Sequence, residues 1–221
     1  MNFQTLRRRM VHTQLISRGI KDDDVLSAMS LTARENFVSE DLVRHSYNDT
    51  PLPIDCGQSI SQPFIIAYML EKLELDSAAK VLEIGTGSGY NAAVLSEIVN
   101  EVHTVEIIKT LAKEARQKYE TMGYHNIHVK HGDGYLGWEE EAPFDAIILT
   151  AAPSEIPQIL FDQLSEGGRM IAPVGDQAQS LIIYKKENGG IVEQDLIAVR
   201  FVPMVDESFL IKNDIIKKPQ L

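Results

Sequence analysis

Val81-Leu82-Glu83-Ile84-Gly85-Thr86-Gly87-Ser88-Gly89 decides how the rest of the chain is read. A short apolar strand runs into three glycines at alternate positions, and a helix-compatible stretch follows. Glycine at such a turn lets the backbone pass close to a ligand, because no Cβ intervenes. A dinucleotide-binding fold uses a related turn, but its fingerprint needs glycine at the position after Gly89. That position holds Tyr90. The shorter form suits a nucleoside ligand without a pyrophosphate.

Working outward from this turn, strands are expected at 80–84, 101–106, 126–131, 144–150 and 168–174, alternating with helices at 89–98, 109–122 and 154–164. The last helix should open at Ser154 and keep Pro157 inside its first turn. Apolar strands separated by helices indicate an α/β fold, with a mostly parallel sheet covered on both faces. Runs 180–186 and 191–202 flank Asn188-Gly189-Gly190 and should form an antiparallel hairpin at the end of the sheet. Upstream, 3–18 and 24–31 read as helices. The second is entered through Asp22, Asp23 and Asp24, whose carboxylates suit a helix N-terminus. Pro51, Pro53 and Gly57 make 45–62 a loop. Pro63 then opens a helix to about Leu73, apolar nearly all round and therefore buried.

At 221 residues with 44% hydrophobic content, one such domain is expected and not two. It should span 1–205, with N-terminal helices and a substrate-site segment in 1–75, the nucleoside-binding sheet in 76–205, and a patternless tail over 206–221. The 32 acidic and 21 basic residues give a formal net charge of −11, which opposes approach to nucleic acid. The run Arg7-Arg8-Arg9 lies among Phe3, Leu6 and Met10 at helical spacing and reads as a solvated helix face. One cysteine, Cys56, cannot make an internal disulfide and reads as a spectator thiol. No signal-like start and no apolar run of membrane-spanning length is visible, so the expectation is a cytoplasmic monomer with no membrane partner.

Glu106 ends the second strand of the alternating series, roughly twenty residues after the first glycine, where a carboxylate can accept from both ribose hydroxyls. Asp133, followed by Gly134, comes after the third strand on the same ligand-binding edge and could accept from an adenine amino group. A turn aspartate is its structural alternative. Asp145 begins the fourth strand, at the far edge, and is expected to be structural.

Four blocks carry a resemblance over nearly the whole chain: Gly57-Gln58-Ser59-Ile60-Ser61-Gln62-Pro63, the glycine block through Tyr90, Pro143-Phe144-Asp145-Ala146-Ile147-Ile148 running to Thr150-Ala151-Ala152-Pro153, and Val199-Arg200-Phe201-Val202-Pro203. In their order and spacing they resemble the protein-L-isoaspartate O-methyltransferase family. The resemblance implies a Rossmann-like class I methyltransferase fold with a seven-stranded sheet. It implies S-adenosylmethionine as methyl donor, S-adenosylhomocysteine as product, no metal, and isoaspartyl-containing proteins and peptides as substrates. Methylation would begin their repair, the ester closing to a succinimide that reopens partly to normal aspartate. Ser61 matches the family's active-site serine, and Ser59, Ile60 and Val202 fall in the substrate-binding blocks. Cofactor contacts are implied for Glu83, Gly85, Thr86, Gly87, Ser88, Gly89, Glu106, Asp133 and Gly134. Two positions depart from the pattern: Ser59 stands where the family usually has Thr, and Asp55 where it commonly has Gly.

The chemistry agrees with that resemblance. A carboxylate is already ionised at neutral pH, its α-carboxyl reference pKa being about 3.3–3.7, so attack on a sulfonium methyl needs neither metal nor general base. His125, His128 and His131 recur every third residue, but strand alternation turns His128 away from the other two. Ser61 lies at a predicted helix start, where N–H groups and the positive dipole end attract anions. A plain helix cap is the other local reading of Ser61. Two rival functions stay open: a nucleic-acid or small-molecule methyltransferase on the same fold, and a protein that binds S-adenosylmethionine without catalysis. Against the first, Thr150-Ala151-Ala152-Pro153 stands where adenine amino-methylating enzymes carry an Asn- or Asp-Pro-Pro-aromatic segment.

Overall fold

In the computed structural model, which describes residues 2–206, the first helix is α1 (Phe3–Met10), capped by Asn2. It continues through a π-helical turn at Val11–Leu15 and a 3-10 turn at Ile16–Arg18, and Gly19 ends it at φ 98°. The expected helix over 3–18 is therefore present with a change of pitch. Its α2 partner (Asp23–Leu31) starts as the acidic run indicates, with the Val25 N–H donating to Asp22 Oδ1 at 3.0 Å. Arg7 is not solvated: its guanidinium bonds Tyr47 Oη, the Leu31 carbonyl and Glu35, whereas Arg8 and Arg9 are exposed.

The stretch expected as loop contains a minimal antiparallel pair, β1 (Leu52–Pro53) and β2 (Ser59–Ile60). Pro53 is tolerated because the pair has only edges. This pair feeds Ser61 directly into α3 (Pro63–Leu73), which has proline in its first turn and seven buried residues facing the core.

The remaining elements follow the alternation: β3 (Lys80–Ile84), α4 (Tyr90–Ser96), β4 (Glu101–Glu106), α5 (Lys109–Met122), β5 (Ile127–His131), β6 (Phe144–Leu149), α6 (Gln158–Asp162), β7 (Leu164–Val174), β8 (Gln179–Glu187) and β9 (Gly190–Val199). The sheet order is β5-β4-β3-β6-β7-β8-β9, parallel through β7 and antiparallel in the last two pairings. Alternate residues serve its two faces. Val81, Ala146, Ile148 and Ile171 join the core beneath the N-terminal helices, while Leu82, Ile84, Ile147 and Met170 join the core on the opposite face. The β8–β9 hairpin turns at Asn188 and Gly189, both at positive φ, as the Asn-Gly signal requires.

Three boundaries differ from expectation by three residues or more. The helix expected from Ser154 begins only at Gln158, with Pro157 as its extended N-cap. A residue before proline is pushed out of the helical region, so Ile156 cannot belong to a helix that also contains Pro157. Strand β7 starts at Leu164 rather than 168, because Phe144 pairs with Leu164 before a bulge shifts the register to Ala146–Arg169. Strand β9 stops at Val199, three residues short. Of the expected tail, 207–221 lies outside the described residues. No helix among the described residues is long and apolar enough to cross a membrane.

Candidate active site

A cleft of about 800 Å³, including space open to solvent, lies at the carboxyl ends of β3, β4 and β6. In open parallel sheets this is where ligands bind. Gly85, Thr86, Gly87 and Ser88 form one wall. Glu106 and Gly134 line the same cleft. Ser59, Ile60 and Ser61 enter from β2 and the start of α3, and Val202 closes it from the C-terminal block. Residues from all four sequence blocks thus reach one cavity, or brace it.

Glu106 is only 5% exposed. Its Oε2 accepts from the Gly87 N–H at 2.8 Å and its Oε1 from the Ile108 N–H at 2.9 Å. Burial raises its pKa, and the backbone donors oppose that rise. Each oxygen retains a second lone pair, so a diol could be accepted without breaking either bond. Asn91, which the sequence reading missed, also lines the cleft. Its Nδ2 donates to Glu83, while Oδ1 is buried with no partner among the described residues. An orphaned acceptor lining a cleft fits a ligand that brings a donor.

The glycine turn is held rigidly from behind. Thr150 Oγ1 donates to the Gly85 carbonyl at 2.6 Å, and Lys118 Nζ donates to the Ser88 carbonyl at 3.1 Å. Gly85 sits at φ 99° and Gly89 at φ 91°, and a Cβ on Gly89 would come within 2.7 Å of Tyr119 Oη. Glycine is therefore required at both positions.

Three expected cofactor residues do not line the cleft. Strand alternation turns Glu83 to the face of Val81, beneath α4, where its oxygens accept from Asn91 Nδ2 at 2.8 Å and Thr104 Oγ1 at 2.5 Å. Gly89 packs against α5, its carbonyl accepting from Tyr119 Oη. Asp133 caps the turn that follows it, the Tyr135 N–H donating to its Oδ1 at 2.9 Å, and reaches the cleft only through its neighbour Gly134. Asp145 is structural, accepting from the Lys80 N–H at 2.9 Å. Asp55 is exposed and does not line the cleft, lying instead in a neighbouring depression that Gly87 and Ser88 also border.

Glu83 is fully buried, and desolvation pushes its pKa up from 4.5 to about 7. The native state thus binds a proton that the unfolded state has released. Its contribution to stability is present below about pH 4.5 and is lost as pH rises through 7. A carboxyl held near 7 rather than 4.5 represents roughly 3 kcal/mol. Glu83→Gln is expected to flatten the dependence of Tm on pH across this window and to raise Tm at pH 8. Thermal melts at pH 5 and pH 8 test this, and an unchanged slope would count against it.

Ser61 does not cap α3. The N-cap is Gln62, without a side-chain hydrogen bond, and no protein group engages Ser61 Oγ among the described residues. In the C-terminal block, Val202 O accepts from the Ala152 N–H at 2.8 Å, and Phe201 N and O are bonded by the Gln179 side chain. Those groups anchor Val202 beside the Thr150–Pro153 block and are not free for a ligand.

One group among the described residues, Glu101, His103 and His128, brings metal-capable atoms within 4.8 Å of one another. Glu101 begins β4 and Glu106 ends it, a separation of roughly 16 Å at strand rise. An ion there would be remote from the cleft.

The family model for protein-L-isoaspartate(D-aspartate) O-methyltransferase matches residues 6–209. A protein-L-isoaspartate O-methyltransferase of Picosynechococcus is 50% identical over 204 residues, covering 92% of each chain. One from Gloeobacter violaceus is 52% identical over 200 residues, covering 90% of this chain and 98% of its own. A solved protein-L-isoaspartate O-methyltransferase superposes with TM-score 0.84 at 31% identity, covering 94% of this chain and 69% of that one. A Plasmodium falciparum structure, described as a protein of the same kind in complex with S-adenosyl-L-homocysteine, superposes at 0.79 with 30% identity, covering 93% and 99%.

Proposed function

Because this chain belongs to the protein-L-isoaspartate O-methyltransferase family, we propose that the cleft at the glycine turn holds methyl donor and isoaspartyl carboxylate together, with Ser61 orienting the acceptor. The protein is an S-adenosylmethionine-dependent carboxyl methyltransferase acting on isoaspartyl residues. The observation that carries the assignment of residues is the continuity of the cleft wall from Ser61 to Gly85–Ser88 and Glu106.

S-adenosylmethionine, when bound, supplies an electrophilic methyl group on its sulfonium. Glu106 accepts from the ribose diol with its remaining lone pairs. Asn91 Oδ1 accepts a ligand donor, and Gly85–Ser88 offer backbone free of side-chain bulk. Asp133, with Oδ1 committed to its cap, keeps Oδ2 for the adenine amino group. On the acceptor side, Ser61 Oγ donates to one carboxylate oxygen and leaves the other to attack, while Ser59, Ile60 and Val202 shape the surroundings. The acceptor is ionised at neutral pH, so its nucleophilicity depends on orientation rather than on proton removal. Residues 1–75 and 76–205 act as one domain in this reading, since the cleft draws its wall from both. The net charge of −11 supports protein substrates over nucleic acid, and the reading keeps a cytoplasmic monomer.

Ser61→Ala tests the assignment. Loss of a positioned donor costs about 10²–10³ in rate where charge builds up in the transition state. Here carboxylate charge disperses, so a fall of about tenfold in turnover of an isoaspartyl peptide is expected, with S-adenosylhomocysteine affinity retained. Wild-type kinetics in the variant would remove Ser61 from the reaction.

A further inference from the structure

Arg34 is fully buried, at 0% exposure, one of the largest such side chains among the described residues, and begins a 3-10 turn at Arg34–Phe37 that no sequence motif marks. Its Nε donates to the Ser46 carbonyl at 2.8 Å and its Nη2 to the Ser61 carbonyl at 2.7 Å. Its guanidinium carbon lies 4.8 Å from the ring centroid of Tyr90, the first residue after the glycine turn. Nη1 is buried with no hydrogen-bond partner among the described residues, and the carboxylate that acts on this cation, Asp49, is itself ion-paired with Arg18 rather than with Arg34. Burial lowers its pKa to about 10, so the group is still charged at neutral pH.

A buried cation with no directly bonded counter-ion is a poor device for stability, because apolar replacements of similar volume often serve as well or better. What this one does is geometric. It joins two segments far apart in sequence, the carbonyl of the serine on the acceptor side of the cleft and the aromatic face at the start of α4 on the donor side. A planar guanidinium with donors in fixed directions can hold two carbonyls at once, whereas an ammonium offers a single point.

We propose that Arg34 is the positioning residue of the methyl transfer, fixing the main chain of Ser61 against the glycine-turn helix so that the Ser61 hydroxyl meets the acceptor carboxylate in the reactive orientation. This rests on the reading of Ser61 as the acceptor-orienting group.

The test is a cycle of Arg34→Lys and Ser61→Ala in the full chain, with an isoaspartyl peptide as acceptor. Misplacement of a reacting group by about 1 Å can lower the rate on the order of 10²-fold. Arg34→Lys is expected to lower kcat by that order, with S-adenosylhomocysteine affinity within about threefold of wild type. In the Ser61→Ala background the same change should cost much less, since the hydroxyl it orients is absent. Arg34→Met should fall further than Arg34→Lys, the retained charge giving partial rescue. Full additivity in the cycle overturns the proposal, as does parallel loss of cofactor affinity. If both Arg34 variants unfold while Ser61→Ala does not, Arg34 serves stability alone and the proposal falls. Failure of the wild-type chain to methylate the peptide would instead sink the underlying assignment of the site.

Discussion

Glu106→Ala is expected to weaken S-adenosylmethionine binding by at least about 10²-fold, the low end for losing two hydrogen bonds to a charged acceptor at roughly 1.5–3 kcal/mol each. The effect has two sources. The ribose diol loses its acceptor, and the N–H groups of Gly87 and Ile108, both now bonded to Glu106, lose theirs. With its tie to Gly87 gone, the turn no longer holds the backbone shape that borders the cleft. Glu106→Gln should be nearly as damaging, because one oxygen becomes an amide donor facing an N–H. Folding should survive in both variants, since the sheet pairing of β4 does not depend on its last side chain. Calorimetric titration with S-adenosylhomocysteine reads the effect directly. Unchanged affinity in a folded Glu106→Ala protein would mean that the carboxylate only braces the loop.

That carboxylate was legible in the sequence because its position follows from a pattern: a strand end at a set distance from a glycine turn. The strands near the turn were legible for the same reason, β3, β4 and α5 falling at their expected limits. Asp22 announced a helix start that the Val25 N–H confirms. Groups that act across loops left no such trace. Arg34 is joined to carbonyls 12 and 27 residues away, and nothing in Thr32-Ala33-Arg34-Glu35 distinguishes it from a surface arginine. Thr150 was quoted as part of a block, yet its work on the Gly85 carbonyl depends on β6 lying beside β3, a tertiary fact. Glu83 belongs to the motif yet does not line the cleft, because motif membership says which segment is near a ligand, while strand alternation decides which side chains face it. The bonds that hold the C-terminal block left no trace in the sequence either: Gln179 bonds the Phe201 backbone and the Ala152 N–H bonds the Val202 carbonyl, both across a tertiary contact.

Gly85→Ala should combine loss of stability with loss of cofactor binding, and Thr150 is the residue that makes both unavoidable. At φ 99° an L-residue is strained, by about 1–2 kcal/mol in the left-handed region. The added methyl would also collide with Thr150 Oγ1. That hydroxyl cannot step aside freely, because its one proton is given to the Gly85 carbonyl at 2.6 Å, with the Ile84 carbonyl sharing it at 3.1 Å. The backbone cannot yield either: the Gly85 N–H is bonded to the Val105 carbonyl at 2.8 Å, which ties the turn to β4. Overpacking of this kind adds about 1–3 kcal/mol, so a total of roughly 2–5 kcal/mol is expected in urea unfolding. Any relaxation must displace the turn toward the cleft, where it narrows the space for the ligand. The collision predicts its own partial remedy. Thr150→Ala removes the obstructing hydroxyl, so Gly85→Ala should be less destabilising in a Thr150→Ala background than in the native chain, a non-additivity expected of residues in contact. Equal losses in the two backgrounds would show that backbone strain at Gly85 acts alone and that Thr150 plays no part in keeping the position clear.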